Sequence, residues 1–303
     1  MTAPASPRIL ARTVRVSQWT KNVVVLAALL FAMGDRTQSL AAHSVRNAFL
    51  AFVAFCLAAS TAYIINDLAD AERDRQHPAK RLRPIAAGQV SVAFAVTLLL
   101  LTLTGALLLG WLVNPVFLGT VAGYLILQLL YTFWLKRVPL LDLFMIAFGF
   151  VIRAVAGALA IGVTISPWLL LCAFLLALFL ALCKRRHERI LLGDAADAHR
   201  PGLRTYEVRL VDQLIAMIGG TVIVCYAIYT LWPDTVRKFG THWLGLTIPF
   251  VVFGIFRYLD LVYRHDQGGA PEKALLSDIP LLADLALYGL TLLAVFFLLR
   301  PGI

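Results

Sequence analysis

The chain has 303 residues, of which 60% are hydrophobic and only 15% charged, with a formal net charge of +10. Soluble domains carry more charge and fewer apolar residues, and here the apolar excess is gathered into runs. Residues 84–135 contain no Lys, Arg, Asp or Glu, and neither do residues 154–183, so a polytopic membrane protein is expected rather than a soluble domain.

Apolar runs set against turn residues predict an all-α bundle of nine transmembrane helices. They lie near residues 19–37, 45–66, 91–112, 116–135, 140–162, 166–184, 209–232, 242–263 and 280–299. No cleavage-site pattern follows a compact apolar core at the start, so the first span is expected to serve as its own insertion signal. Asn114-Pro115 and Ser166-Pro167 mark turns between helices. Cys56, Cys172, Cys183 and Cys225 sit in or beside apolar runs, without metal-ligand or disulfide spacing. The whole chain, 1–303, reads as a single integral membrane domain, with polar loops 66–91 and 184–209 expected to form its site.

Basic residues set the expected orientation. The N-terminal tail with the head of the first span, and the loops after spans two, four, six and eight, hold 21 of the 27 Lys and Arg. That asymmetry places the N-terminus and the polar loops on the cytoplasmic side of a cell inner membrane. The positive charge is accounted for by topology and lipid headgroups, and it implies no nucleic-acid partner. Arg8, Arg12 and Arg15, at helical spacing, are expected to lie on anionic lipid. Trp19 and Lys21, at the start of the first span, fit an interface anchor.

The end of span two reads NDLADAERD, residues 66–74. If the helix continues to Asp74, then Asn66, Asp70, Asp74 and Asp67 fall at about 0°, 40°, 80° and 100° on one face. Clustered carboxylates repel unless something positive lies between them. Mg²⁺ is the natural occupant, a hard cation that takes carboxylates, waters and substrate phosphates. A solvated acidic helix end, balanced by Arg73 and Arg75, is the plainer alternative. His77-Pro78 then ends the helix, because a residue before proline disfavours helical geometry. Lys80, Arg81 and Arg83 follow directly. Metal-binding acids beside three cations suit a diphosphate, whose oxygens a metal bridges and cations neutralise.

These residues carry a resemblance. NDLADAERD is similar to the NDxxDxxxD signature of the UbiA superfamily of intramembrane prenyltransferases. The longer stretch YIINDLADAERDRQHPAKRLRPIAAG resembles its decaprenyl-phosphate phosphoribosyltransferase branch. So do VSQWTKNVVVLAALLFA, LKRVPLLDLFMIAFGFVIRAVAGALAIGVTISPW, CKRRHE and RPGLRTYE. The resemblance spans most of residues 15–210. It implies a UbiA-like helical bundle and a Mg-dependent transferase. Phosphoribosyl diphosphate and a polyprenyl (decaprenyl) phosphate would be its substrates, and the lipid product would feed arabinose donors of the cell envelope. A prenyltransferase acting on an aromatic acceptor is the alternative within the superfamily.

One departure from the superfamily is informative. A second Asp-rich motif, DxxxD, is usual after span six, where this chain has KRRHERILLGDAADAHRPGLRTYE. Lys184, Arg185, Arg186 and Glu188 stand nearest the helix, and Asp194 and Asp197 come later with different spacing. A lipid monophosphate acting as nucleophile needs cations there rather than a second metal cluster. With a second pKa of about 6 it is already largely ionised.

The expected metal set is therefore Asn66, Asp67, Asp70 and Asp74, with Asp70, Asp74 and Arg153 as catalytic groups. Arg153 lies roughly 20 Å along its helix from Pro139, and an intramembrane arginine is a functional candidate by default. A structural ion pair is its alternative, although Asp142, eleven residues away on the same face, is too far for one. The expected substrate contacts are Lys21, Tyr63, Lys80, Arg81, Arg83, Lys136, Lys184, Arg185, Arg204 and Tyr206. Lys136 and Arg137 also fit a plain topology signal, and so does the Lys184–Arg186 run.

Overall fold

The computed structural model describes residues 6–76, 78, 80–192, 206–265, 267–269, 271, 274 and 277–299. Its described elements are helical throughout. A short helix, α1 (Pro7–Thr13), leads into a 3₁₀ segment, Val16–Val23, and then α2 (Val24–Gly34). There follow α3 (Ser44–Ala69), α4 (Ala71–Gln76), α5 (Val92–Val113), α6 (Pro115–Phe133), α7 (Leu141–Ile161) and α8 (Pro167–Leu192). The described chain ends with α9 (Val208–Leu231), α10 (Pro233–Phe239), α11 (Ile248–Arg264) and α12 (Ile279–Phe297).

Among the described residues, nine helical segments are long and apolar enough to cross a membrane. They match the nine spans expected from the sequence, and the protein is a multi-pass membrane protein. Two boundaries differ instructively. The first span opens in 3₁₀ geometry at Val16, with Arg15 before it at φ 54°. The sixth span runs to Leu192 rather than 184, because Lys and Arg after residue 183 are good helix formers and Arg185 and Arg186 find partners in Asp142 and Asp212 on neighbouring helices.

The chain divides into two compact units. The first comprises Met1–Leu29, Ala41–Val138 and Ile152–Gly162, and the second Leu30–Leu40, Pro139–Val151 and Val163–Ile303.

In the first unit α3 is the central helix, packed against α5 and α6. Ala48, Ala51, Ala54, Ala58 and Ala59 are all buried along it. Small side chains let helix backbones approach closely where lipid offers no hydrophobic drive. The closest approach is at Gly157 of α7, where a Cβ would stand 2.0 Å from the Val25 carbonyl oxygen. Asn114 ends α5 and caps α6, its side chain accepting from the Phe117 N–H at 2.8 Å while Pro115 takes the first helical position.

The second unit packs α8 against α9 and α11 against α12, around Phe179, Ile215, Leu244, Leu292 and Phe296. Asp278 caps α12, accepting from the Leu281 N–H at 3.0 Å, and also takes Arg257 in a forked pair at 3.1 and 2.7 Å. That pairing holds the Asp278 carboxyl below its ordinary pKa.

Candidate functional site

The motif at the end of α3 does not form one helical face. The helix stops at Ala69, and Asp70 caps it at φ −102°, ψ 6°, its N–H bonded to the Asn66 carbonyl. α4 then restarts at Ala71 and ends at Gln76, just before the His77-Pro78 stop. The four oxygen-bearing side chains fall into two pairs, each with one member before the break and one at or beyond it.

Asp67 and Asp74 form the closed pair, each 4% exposed. Arg83 lies between them, donating to Asp67 Oδ1 at 3.0 Å and to Asp74 Oδ2 at 2.5 Å. Asp67 also takes both Nε and Nη2 of Arg15, whose guanidinium lies 4.6 Å over the Tyr63 ring. Arg15, expected at the lipid surface, is thus turned into the acidic cluster. Arg12 likewise donates to the Leu82 carbonyl at 2.5 Å. Buried charge needs a fixed partner, and the left-handed backbone at Arg15 redirects its side chain from the helical stripe. Asp67 and Asp74 were expected to hold metal; in this structure both oxygens of Asp67 and Oδ2 of Asp74 meet guanidinium groups.

Asn66 and Asp70 form the open pair. Both direct an oxygen to Lys136, whose ammonium donates to Asn66 Oδ1 at 3.3 Å and Asp70 Oδ2 at 2.6 Å. Lys136 comes from the 3₁₀ turn Leu135–Arg137 after α6. The side chains of Lys136 and Asp70 remain 14% and 19% exposed. Two hard oxygens already converging on a cation fit a divalent ion that completes its shell with water and substrate phosphate. No group of three or more His, Cys, Asp or Glu suited to a metal occurs among the described residues, so substrate oxygens would have to supply part of the shell.

Other expected contacts in this unit are placed as follows. Lys80 opens the short 3₁₀ turn Lys80–Leu82 and is partly exposed, Arg81 is exposed, and Lys21 is partly exposed. Trp19 is no simple interface anchor, since its indole donates to Ser60 Oγ at 3.1 Å.

Arg153 is 6% exposed. It donates through Nε to Asn22 Oδ1 at 2.7 Å and through Nη2 to Tyr124 OH at 2.8 Å, and lies 4.9 Å over the Tyr124 ring. Asn22 in turn donates to Cys56 Sγ at 3.4 Å. Hydrogen-bond acceptors and a ring face thus hold this cation, for which the sequence suggested substrate or an acidic side chain. Asn22 and Tyr124 carry no signal of this role in the sequence, because each is an ordinary interface residue type.

In the second unit Lys184 and Arg185, expected to bind substrate phosphate, lie in the C-terminal part of α8. Arg185 is 2% exposed and donates to Asp142 Oδ2 at 2.9 Å and to Glu188. Tyr206 is 4% exposed; its hydroxyl donates to Asp142 Oδ1 at 2.5 Å and accepts from the Leu140 N–H at 2.5 Å. Burial, and then the bond to Asp142, pushes the Tyr206 phenol above its ordinary pKa. Leu140 stands at φ 65°, a strained conformation for a branched residue, and the Tyr206 bond helps to hold it. Arg185 and Tyr206 were expected to touch substrate and instead close a buried network around Asp142. Arg186 donates to Asp212 at 2.6 Å and lies 4.1 Å over the Tyr263 ring. Lys184 is partly exposed. Arg204, Asp194 and Asp197 lie outside the described residues.

With this geometry the chain was compared with known proteins. A family model described as the UbiA prenyltransferase family matches residues 22–279. Decaprenyl-phosphate phosphoribosyltransferase of Mycolicibacterium smegmatis is 36% identical, over 89% of this chain and 86% of that protein. The protein of that name from Corynebacterium glutamicum is also 36% identical, over 88% and 80%. The one from Mycobacterium tuberculosis is 34% identical, over 88% and 87%. Among solved structures, a UbiA homolog from Archaeoglobus fulgidus bound to GPP and Mg²⁺ superposes with a TM-score of 0.70. It is 18% identical, and the match covers 95% of this chain and 99% of that one. A UbiA homolog from Aeropyrum pernix gives 0.67 at 15% identity, over 93% and 98%. Sequence and fold agree: this chain belongs to the UbiA prenyltransferase family.

Proposed function

We propose that the protein transfers 5-phosphoribose from phosphoribosyl diphosphate to a polyprenyl phosphate such as decaprenyl phosphate, releasing diphosphate. The observation that carries the reading is its 34–36% identity, over nearly nine-tenths of the chain, to proteins named for that activity. The site's chemistry supports it. The donor-rich cluster lies at Asn66 and Asp70, whereas the position of the superfamily's usual second acidic motif carries Lys184, Arg185, Arg186 and Glu188.

In this reading a bond forms from a lipid-phosphate oxygen to the anomeric carbon as the bond from that carbon to diphosphate breaks. Such a displacement passes through an oxocarbenium-like state, as in glycoside chemistry. The nucleophile is already ionised, so no general base is required. A Mg²⁺ ion at Asn66 and Asp70 would supply charge to the departing diphosphate. Lys136, which already contacts both oxygens, and Lys80 and Arg81, which follow the motif in sequence, would share that task. Arg83 and Arg15 hold Asp67 and Asp74 behind it, and Arg153, with Asn22 and Tyr124, fixes the packing of the helices that carry the site. The site faces the cytoplasm by the distribution of basic residues, and the membrane supplies the lipid substrate.

The test is label transfer from phosphoribosyl diphosphate into polyprenyl phosphate by detergent-purified protein. Transfer is expected with Mg²⁺, and its loss with EDTA and in Asp70→Ala. Turnover of a prenyl diphosphate with an aromatic acid, in place of label transfer, would overturn the phosphoribosyl reading and keep the family.

A further inference from the structure

Lys136 stands where the expected metal should be. Its ammonium is the point on which Asn66 Oδ1 and Asp70 Oδ2 converge, at 3.3 and 2.6 Å. A carboxylate and an amide oxygen one helical turn apart are the donor set that a hard divalent cation takes. We propose that Lys136 is a built-in competitor of the divalent ion, occupying the ion's position at Asn66 and Asp70 and moving onto the diphosphate when the ion enters. The proposal rests on the metal-diphosphate reading of this site and adds an order of events to it.

Three features support exchange rather than a fixed pair. The cation is a lysine, a compact charge on a flexible four-carbon stem, where a planar arginine would be held in a fork. Arg15 shows that contrast within the same unit, its Nε and Nη2 gripping the two oxygens of Asp67, whose side chain is 5% exposed. The Lys136–Asp70 pair keeps side-chain exposures of 14% and 19%, so water reaches it and its separation has a solvated route. Lys136 also sits on a three-residue 3₁₀ turn rather than inside a long helix, which leaves the stem free to swing. Once displaced by a second cation, the ammonium is repelled from the ion and attracted to phosphate oxygens, for which lysine is a well-suited point charge.

The test is Mn²⁺ binding to the full-length protein in detergent, followed by electron paramagnetic resonance of the free ion, with no phosphoribosyl diphosphate or lipid substrate present. Lys136→Met is expected to bind Mn²⁺ about tenfold more tightly than the wild type, a change equivalent to about 1.4 kcal/mol. Lys136→Arg keeps the competing charge on a group that holds carboxylates more firmly, and should bind Mn²⁺ no more tightly than the wild type. In the presence of Mn²⁺, inorganic diphosphate should bind Lys136→Met more weakly than the wild type. This crossover, tighter for metal and weaker for diphosphate, is not what a misfolded variant gives. Unchanged or weaker Mn²⁺ binding by Lys136→Met overturns the competition, as does absence of binding by both proteins. Undiminished diphosphate binding overturns the move onto diphosphate. Failure of label transfer with the crossover intact would remove the phosphoribosyl reading alone.

Discussion

The two units solve the same electrostatic problem in different ways. Each holds carboxylates and cations at the head of a membrane helix. In the second unit, Asp142 and Arg185 are both 2% exposed, and Tyr206 fills the remaining oxygen's need for a donor. In the first unit, Asp70 and Lys136 meet with side chains 19% and 14% exposed, so water reaches both. A fully desolvated pair resists separation, because parting it strands a charge away from water. A half-open pair separates into solvent, so it is the one that chemistry can use. Burial, rather than the mere presence of ion pairs, distinguishes scaffold from site.

The contrast is broken most forcefully at Arg185. Arg185→Ala should lower stability by about 3–5 kcal/mol, the range for removing one partner of a buried pair, measured by thermal unfolding in detergent. The double variant Asp142→Leu, Arg185→Leu should recover much of that loss, since matched apolar replacements often match a buried pair. An Arg185→Ala protein of wild-type stability would mean that the second unit is as exchangeable as the first.

Asp70→Ala sharpens the comparison from the other side. It should cost only about 1 kcal/mol of stability, in the range of pairs that water reaches. Transfer activity should nevertheless fall by on the order of 100-fold or more, as when one transition-state charge contact is lost. The same melts and the label-transfer assay report both numbers.

The smallest effect belongs to Tyr206 and depends on pH. Its folded-state pKa is raised, chiefly by burial, above the unfolded value of about 10. Its contribution is therefore fully present below about pH 10 and erodes as pH rises from there towards the folded value. Wild type should exceed Tyr206→Phe in melting temperature at pH 8, and the margin should narrow by pH 11. A constant margin would show that the hydroxyl does not titrate with folding.

The membrane helices were legible because apolar runs and turn residues are local signals. Ser91, Asn114 and Asp278 each cap a helix where the pattern changes. The donor residues of the site were legible too, as a short motif. Their partners were not. Arg15 lies 52 residues from Asp67, Lys136 lies 66 from Asp70, and Arg185 lies 43 from Asp142. Helical periodicity says which residues share a face and nothing about which distant face meets it. It also misled at Asp70, where a regular spacing suggested a continuous helix. The backbone turns there so that Arg83 can bridge Asp67 and Asp74, a demand set by tertiary charge balance. Asp284 was missed altogether; it is 8% exposed within α12 and stands against Gly254, a lone acid in an apolar run.

The interruption after Ala69 also bears on how the motif tolerates insertions and deletions. Asn66 and the cap residue Asp70 are one turn apart, the Asp70 N–H closing that turn on the Asn66 carbonyl, so a residue added between them rotates one oxygen by about 100° away from the other. Asp74 lies beyond the break, on the short α4, and meets Asp67 only through the long side chain of Arg83. A residue inserted next to Ala71 can be absorbed by the cap and by that side chain's reach. The first half of the signature is thus a fixed ruler and the second half an adjustable tether.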